Sequence, residues 1–320
     1  AQTDVGTTAD KAYQSIGKAV KAAESGDTIQ LAEGNYSLYD VCGKNGTDNT
    51  EYTKNKDLTF VGQEKEVDKV NWYIGANPTP EGFNGEYDGD YCFDGAKTIT
   101  FRNLTLRAGS KDYLGFIRAD NTVVEDCTIN GKTSYWGYTS ATFTNTTFNC
   151  PLFNYAIWTY CSPVMTFDSC TFNSSGKVIN VYNENRAADY TINFNNCTVN
   201  SSNPESLSVM NINDTLVKGF TINFTGTNKV TGIKADGIQS TDGSHASPAM
   251  DPTTKKLVAK TSEQATCSKL FEFNMKYGNG NTGKTIVNID GETVWKDGKM
   301  VSHAIDTTND KYTDGYKDNA

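Results

Sequence analysis

Thr166-Phe-Asp-Ser-Cys-Thr-Phe172 is one copy of a short phrase that occurs five times and decides the fold. Earlier copies read Ile-Thr-Phe-Arg-Asn-Leu-Thr-Leu at 99–106, Val-Val-Glu-Asp-Cys-Thr-Ile at 123–129 and Thr-Phe-Thr-Asn-Thr-Thr-Phe at 142–148. A later copy, Ile-Asn-Phe-Asn-Asn-Cys-Thr-Val, occupies 192–199. Apolar residues alternate with polar ones in each copy, a pattern typical of β-strands with one buried face.

The spacing of the copies indicates a solenoid. Aligned on Leu104, Cys127, Thr146, Cys170 and Cys197, successive copies lie 23, 19, 24 and 27 residues apart. A repeat of this size suits one coil of a stack of parallel strands. A single coil cannot bury its apolar face alone, so its neighbours in the stack stabilise it. The prediction is therefore an all-β solenoid in which the repeated strands build the core.

Length, composition and charge fit such an array. The chain has 320 residues, of which 37% are hydrophobic and 21% charged, as in folded proteins rather than disordered ones. A repeat array can form one long domain, and we predict one over 1–305. The net charge of −9 argues against a nucleic-acid partner, because phosphate binding needs clustered Lys and Arg. No run of about 18 apolar residues occurs, so no membrane insertion is expected.

Patterns along the chain predict five segments. They are a capping helix at 8–26, coils at 27–225, an irregular excursion at 233–265, terminal strands at 266–305 and a linker to a further domain at 306–320.

The capping helix has a start signal and a stop signal. Asp10 is of a type that caps helix N-termini, and Ile16, Val20 and Ala23 recur at helical spacing. Gly26 is the residue type that most often follows a helix C-terminus.

This opening resembles that of a known family. The helix with Ser15-Ile-x-x-Ala-Val-x-x-Ala23, followed by Gly26-Asp-Thr-Ile-x-Leu-x-x-Gly-x-Tyr36, is similar to the start of right-handed parallel β-helix proteins of the pectate-lyase-like superfamily. The resemblance implies a right-handed single-stranded parallel β-helix with an N-terminal α-helical cap. Such a cap meets a physical need, since an open end would expose apolar core and unpaired strand edges.

Other stretches look like the β-helix domains of large Gram-positive surface proteins. They are the Cys-Thr-Phe phrases, Gly176-Lys-Val-Ile-Asn-Val-Tyr182 and a predicted C-terminal β-hairpin around Trp295-Lys-Asp-Gly298. The resemblance implies an extracellular adhesin head on the bacterial cell surface, carried as a monomer within a larger multidomain chain. Its expected partner is a carbohydrate or a host-surface glycoprotein.

The eight Cys do not form a metal-binding pattern. There is no Cys-x-x-Cys and there are only two His, so no zinc site is expected. Cys127, Cys170 and Cys197 share one repeat position, either as a ladder of buried thiols or simply as small apolar filler. The sequence leaves two disulfide bridges as possibilities, Cys42 with Cys92 and Cys150 with Cys161.

The loop predicted at 76–96 offers the only candidate for a metal. Its Asp88, Asp90 and Asp94 could bind calcium, because hard cations prefer carboxylate oxygens. The alternative is a solvated acidic loop. We otherwise expect no cofactor.

The segments between the repeated phrases are strand-like and rich in aromatic residues. Like positions of successive coils stack about 4.8 Å apart, so half of each segment is expected to share one outer surface. Exposed rings can pack on sugar faces while polar groups bind hydroxyls. The alternative is that half of the rings are core and the others ordinary outer ladders. The predicted ligand-binding residues are Tyr113, Arg118, Tyr135, Trp136, Tyr138, Tyr155, Trp158, Tyr160, Tyr182 and Arg186.

We therefore predict a non-catalytic adhesin head that binds glycans through this strip. The alternative function is a polysaccharide lyase or glycoside hydrolase of the same fold. The resemblance to this fold implies that a lyase would use carboxylates for calcium and a Lys or Arg to take the proton, and Arg102 and Arg107 with Asp126 or Asp168 could form such a site. Nothing in the sequence selects these residues as a site. A purely structural spacer is the third alternative.

Overall fold

The structure of the protein is a computed structural model. The described residues are 8–37, 41, 50–73, 91–107, 113–150, 155–160, 163–174, 177–182, 190–201, 210–213, 220–231, 245–246, 271–274, 286–296 and 299–300, in some strands by their backbone only. The chain divides into two compact units, 1–141 and 142–320. One continuous domain over 1–305 stays a prediction.

The first unit contains three sheets of parallel strands. The first sheet has the order β1 (Thr28–Leu31), β3 (Asp57–Gly62), β6 (Thr98–Arg102) and β9 (Asn121–Glu125). The second has β2 (Gly34–Ser37), β4 (Val70–Tyr73), β7 (Thr105–Arg107) and β10 (Thr128–Asn130). The third has β5 (Tyr91–Cys92), β8 (Tyr113–Ile117) and β11 (Lys132–Tyr135). One passage through the three sheets, such as β6, β7 and β8, is one coil, and the strands of the next coil pair with it in parallel.

The second unit repeats the scheme. Its first sheet has β12 (Ser140–Thr144, within which the division falls), β15 (Val164–Asp168), β18 (Tyr190–Asn195), β21 (Phe220–Thr225), β25 (Ile286–Ile289), β26 (Glu292–Lys296) and β27 (Lys299–Met300). The second sheet has β13 (Thr147–Cys150), β16 (Thr171–Ser174), β19 (Thr198–Ser201) and β22 (Lys229–Thr231). The third has β14 (Tyr155–Tyr160), β17 (Lys177–Tyr182), β20 (Met210–Asn213), β24 (Phe271–Asn274) and β23 (His245–Ala246).

Stacked parallel sheets of this kind are consistent with a β-helix-like solenoid, and the strand pairing confirms the alignment of the repeats. Thr105 pairs with Thr128 in β7 and β10, directly after the aligned Leu104 and Cys127. In the second unit Thr171 pairs with Thr198, directly after the aligned Cys170 and Cys197. The repeat period read from the sequence is thus the register of the sheets.

The α-helix is shorter than predicted. It runs over Ile16–Ala22, and Ser15 rather than Asp10 caps it, with Oγ accepting a hydrogen bond from the Lys18 amide at 3.3 Å. Ser15 has the extended backbone that an N-cap requires. Ala23 is again extended, which ends the helix before Gly26. Three 3₁₀ turns are also described, Ala9–Lys11, Thr50–Tyr52 and Val67–Lys69.

A residue with left-handed backbone turns the chain from the first sheet to the second in each repeated phrase. These residues have φ between 46° and 56° and are Asn103, Asp126, Asn145, Ser169 and Asn196. Asn and Asp accept this conformation more readily than most other residues with a side chain. The bends also bond to one another, because the Ser169 amide donates to the Asn195 carbonyl at 2.8 Å. Each phrase therefore carries its own turn.

Stacked aromatic rings fill the core of the second unit. Phe143, Phe167, Phe194 and Phe224 hold the same place in successive strands, with ring centroids 5.0, 5.2 and 5.2 Å apart. All four are buried. Outside, Asn side chains form a parallel ladder, in which Asn223 Nδ2 donates to Asn193 Oδ1 at 2.8 Å. The alternation of the repeated phrases produces both rows.

The C-terminal strands turn antiparallel. Trp295 and Lys296 pair with Met300 and Lys299, as the predicted hairpin requires, while its turn lies outside the described residues. A second hairpin joins β25 to β26 through Asp290-Gly291, both with positive φ. An Asp-Gly pair between two strands favours this kind of turn.

The aligned Cys residues are buried free thiols, as both predicted roles of this repeat position require. Cys150 is also buried and is not in a disulfide bridge, so the possible bridge to Cys161 is not formed. It ends β13 inside the core, where it pairs in register with Ser174. Cys42 and the Cys92 side chain lie outside the described residues, as do the linker and most of the irregular excursion.

Candidate ligand-binding face of the third sheet

Three polar side chains meet beyond the carboxyl ends of the third-sheet strands of the first unit. Asp94 follows β5, Arg118 follows β8 and Tyr138 follows β11. Because parallel strands end at the same edge of a sheet, the residues after them come together. Backbone hydrogen bonds hold these segments in place, from the Asp120 amide to the Ala96 carbonyl at 2.9 Å and from the Tyr138 amide to the Ala119 carbonyl at 3.0 Å.

Arg118 joins the three side chains into what we call the charged cluster. Its Nε donates a hydrogen bond to Tyr138 Oη, and its guanidinium carbon lies 5.5 Å from the Tyr138 ring centroid. Arg118 Nε and Asp94 Oδ1 are 3.8 Å apart, an ion pair. The two charged side chains are 29% and 40% exposed, so solvent and ligands can reach them.

Phe93 anchors the acidic member of the cluster. Its ring is buried with centroids 5.8 to 6.0 Å from those of Phe60, Trp72 and Phe101. Phe93 nevertheless has φ of 57°, an unusual conformation for a bulky residue that costs on the order of 1–3 kcal/mol. The buried ring holds the chain in this conformation, and the next residue, Asp94, is directed to the surface.

A row of aromatic residues lies next to the charged cluster. Phe116 in β8 pairs with Tyr91 in β5 and with Tyr135 in β11, so the three residues lie side by side in adjacent strands, about 4.8 Å apart. Ile117 and Trp136, the chain neighbours of Phe116 and Tyr135, are buried. Strand alternation therefore predicts an outward position for Phe116 and Tyr135, and Tyr91 is in register with Phe116. We call these three residues the aromatic row.

The third sheet of the second unit has a comparable face. Tyr160 in β14 pairs with Tyr182 in β17, and Trp158 pairs with Asn180. Ile157 is buried, so strand alternation predicts the opposite face for Trp158 and Tyr160. Aromatic and amide residues are thus in register in this sheet as well.

The structure corrects one predicted binding residue and leaves others undecided. The prediction that Trp136 is exposed is wrong, because only 1% of its surface is accessible. A shifted register at the end of β11 pairs Tyr135 with Phe116. Trp136, the next residue, therefore lies on the core side, where burial of its large ring is favourable. The side chains of Tyr113 and Tyr155 lie outside the described residues, as do those of Tyr135, Trp158, Tyr160 and Tyr182, so their exposure stays a prediction. Arg186 lies outside the described residues.

Sequence reasoning missed two members of the aromatic row. Tyr91 falls in the insert that was predicted to be loop, and Phe116 has the alternation signal of an outer residue only once Ile117 is known to be buried. Asp94 was a candidate for calcium, whereas the structure shows it paired with Arg118. The other two acids of that candidate site, Asp88 and Asp90, lie outside the described residues.

The acids of the repeated phrases, which include the catalytic candidates Asp126 and Asp168, have structural roles within the described residues. Glu125 Oε2 lies 2.6 Å from Arg102 Nη2 in an ion pair across adjacent strands. Asp126 forms a left-handed bend, and Asp168 Oδ1 accepts a hydrogen bond from Ser169 Oγ at 2.8 Å. In the part of the chain that the structure describes, no group of three or more His, Cys, Asp or Glu could hold a metal ion.

Comparison with known proteins gives no family for this chain. No protein-family model, no curated protein and no solved structure matches it. Among the described residues, no helix has the length and apolar character needed to cross a membrane.

Proposed function

We propose that this chain is the non-catalytic head of a bacterial surface adhesin and binds glycans through the outer face of its third sheet. The proposal includes a right-handed parallel β-helix closed at its N-terminal end by the α-helix. The buried Ile16 and Val20 support that cap, because they give the helix an apolar face. An extracellular location on a Gram-positive cell follows from the resemblance of the repeats to such surface proteins.

The aromatic row carries the proposal. Pyranose rings have apolar faces that pack on aromatic side chains, and their hydroxyls need hydrogen-bonding groups beside the rings. The register places Tyr91, Phe116 and Tyr135 in adjacent strands. The charged cluster supplies donors and acceptors where the same three strands end. Rigid strands hold both sets of groups, which limits the entropy lost on binding.

A glycan array with the whole chain tests this function. We expect binding to a subset of glycans, with at least tenfold weaker affinity in Tyr91→Ala and in Tyr135→Ala, the size of loss typical of aromatic anchors. Tyr73→Ala is the matched control, since Tyr73 is a half-buried tyrosine of β4 in the second sheet. Equal affinity of all three variants and the unchanged chain would contradict the proposal.

A second assay separates binding from catalysis. Acidic polysaccharides are incubated with the chain, and unsaturated or newly reducing ends are measured. Turnover would support the lyase or hydrolase alternative instead. Trp136→Ala is expected to lower the melting temperature rather than to act on binding alone, because its ring is buried.

A further inference from the structure

We infer that the proposed glycan site selects neutral hexopyranoside chains and rejects uronate chains, because Asp94 already compensates the charge of Arg118. The inference rests on the proposed function and names its ligand class. It is carried by the ion pair between Arg118 Nε and Asp94 Oδ1 beside the aromatic row.

The guanidinium of Arg118 is the natural group to attract a sugar carboxylate, since its planar donors match a carboxylate well. Here it is engaged twice by its own chain, in the ion pair with Asp94 and in the hydrogen bond to Tyr138 Oη. An incoming carboxylate would have to compete with Asp94, and the two like charges would repel each other at short range. The ion pair of Arg118 with Asp94 therefore disfavours the uronate ligand that Arg118 alone would attract.

A neutral sugar meets no such barrier. The carboxylate of Asp94 accepts hydrogen bonds from hydroxyls, while Arg118 and Tyr138 are groups that donate to them. All three side chains are partly exposed at the ends of strands that carry the aromatic row. The net charge of −9 acts in the same direction, because an acidic chain repels polyuronates at a distance. Sugar rings on the aromatic row would thus place their hydroxyls at the charged cluster.

Asp94→Asn tests the inference, since it removes the compensating charge and keeps a hydrogen-bonding side chain. Asp120→Asn is the matched control, because it changes the net charge equally at an exposed acid that lies two residues from Arg118 and outside the charged cluster. Binding of the whole chain and both variants is measured by titration calorimetry with a neutral galactan oligosaccharide, a neutral glucan oligosaccharide and oligogalacturonate, at low and at physiological salt.

We expect the unchanged chain to prefer a neutral oligosaccharide at least tenfold over oligogalacturonate. Asp94→Asn should shift this ratio about tenfold towards oligogalacturonate, more so at low salt, whereas Asp120→Asn should shift it little. Oligogalacturonate binding as tight as neutral binding in the unchanged chain overturns the inference alone. Equal shifts in the two variants overturn it too, because net charge would then explain them. Absence of binding to every glycan overturns the proposed function, and the inference with it.

Discussion

Cys170 and Cys197 hold the same position in successive coils, and each thiol donates a hydrogen bond to the carbonyl two residues before it. The distances from Sγ to the Asp168 and Asn195 oxygens are both 3.5 Å. Thr146 Oγ1 makes the corresponding bond at 3.0 Å. After four of the five left-handed bends this position carries a small side chain with a hydrogen-bond donor, either Cys or Thr, whereas Leu104 occupies it after the bend at Asn103.

This role predicts that the ladder thiols are unreactive in the folded chain. A hydrogen bond with Cys197 and burial raise the pKa of the Cys170 thiol, which keeps it protonated. The same hydrogen bond lowers the pKa of the Cys197 thiol, so for Cys197 the prediction depends on burial, which keeps the reagent away. We expect iodoacetamide at pH 8 to leave Cys127, Cys170 and Cys197 unmodified until guanidinium unfolds the chain, as read by peptide mass spectrometry. Thr144→Cys, at an exposed position, should be modified rapidly and serves as the control. Fast modification of the ladder in the folded state would contradict the burial.

Alkaline pH should destabilise the chain through Cys127. Burial raises the pKa of its thiol from 9.0 to about 12. Because the folded pKa is the higher one, the folded chain retains a proton that the unfolded chain releases, so this stability is complete below pH 9 and is lost as the pH rises towards 12. The loss between pH 8 and pH 10 should be about 1.4 kcal/mol.

Urea unfolding of the unchanged chain and of Cys127→Thr at pH 8, 9 and 10 measures this loss. The Thr hydroxyl can donate to the Glu125 carbonyl, as the Cys127 thiol does at 3.1 Å, and it does not titrate. The variant should therefore lose about 1.4 kcal/mol less over this range. Tyrosine ionisation affects both proteins alike. Parallel pH profiles would refute a contribution from Cys127.

Removing one ring from the phenylalanine stack should be costly. Phe167 packs between Phe143 and Phe194, with centroids 5.0 and 5.2 Å away, and it is fully buried. Phe167→Ala should lower the free energy of unfolding by about 3–5 kcal/mol, since it leaves a cavity in the core. Val164→Ala in the same strand is the control, because Val164 is 41% exposed, and it should change stability by only about 0.5 kcal/mol. Comparable losses in both variants would argue against this packing.

The left-handed bends should discriminate between side chains by shape. Ser169 has φ of 56° and an exposed side chain. Ser169→Val should destabilise the chain by about 1–3 kcal/mol, because a β-branched residue is strained there. Ser169→Gly and Ser169→Asn should be tolerated or slightly stabilising, since both residues accept positive φ. Thermal melts give the ranking, with Thr171→Val in an extended strand as the control. A melting temperature for Ser169→Val equal to that of Ser169→Asn would show that the bend imposes no such constraint.

The sequence by itself determined the repeat, the strand alternation and the register of the repeated phrases. These features depend on local patterns: polar and apolar residues alternate with the period of a strand, and Asn, Asp or Ser marks each bend. Pairing of Thr171 with Thr198 follows directly from aligning Cys170 with Cys197. The buried thiols follow from the same alignment. The helix was found at the right place, although Ser15 and not Asp10 caps it.

Only the tertiary structure decided that Trp136 is buried and which charges meet. A register shift of one residue reverses the face of a strand, and the irregular pairing of β11 ends with Trp136 in the core. The ion pair of Asp94 with Arg118 joins residues from successive coils, whose meeting depends on where each strand ends rather than on any local pattern. Periodicity thus specifies the stack, while register and strand length determine which residues meet at the proposed binding face.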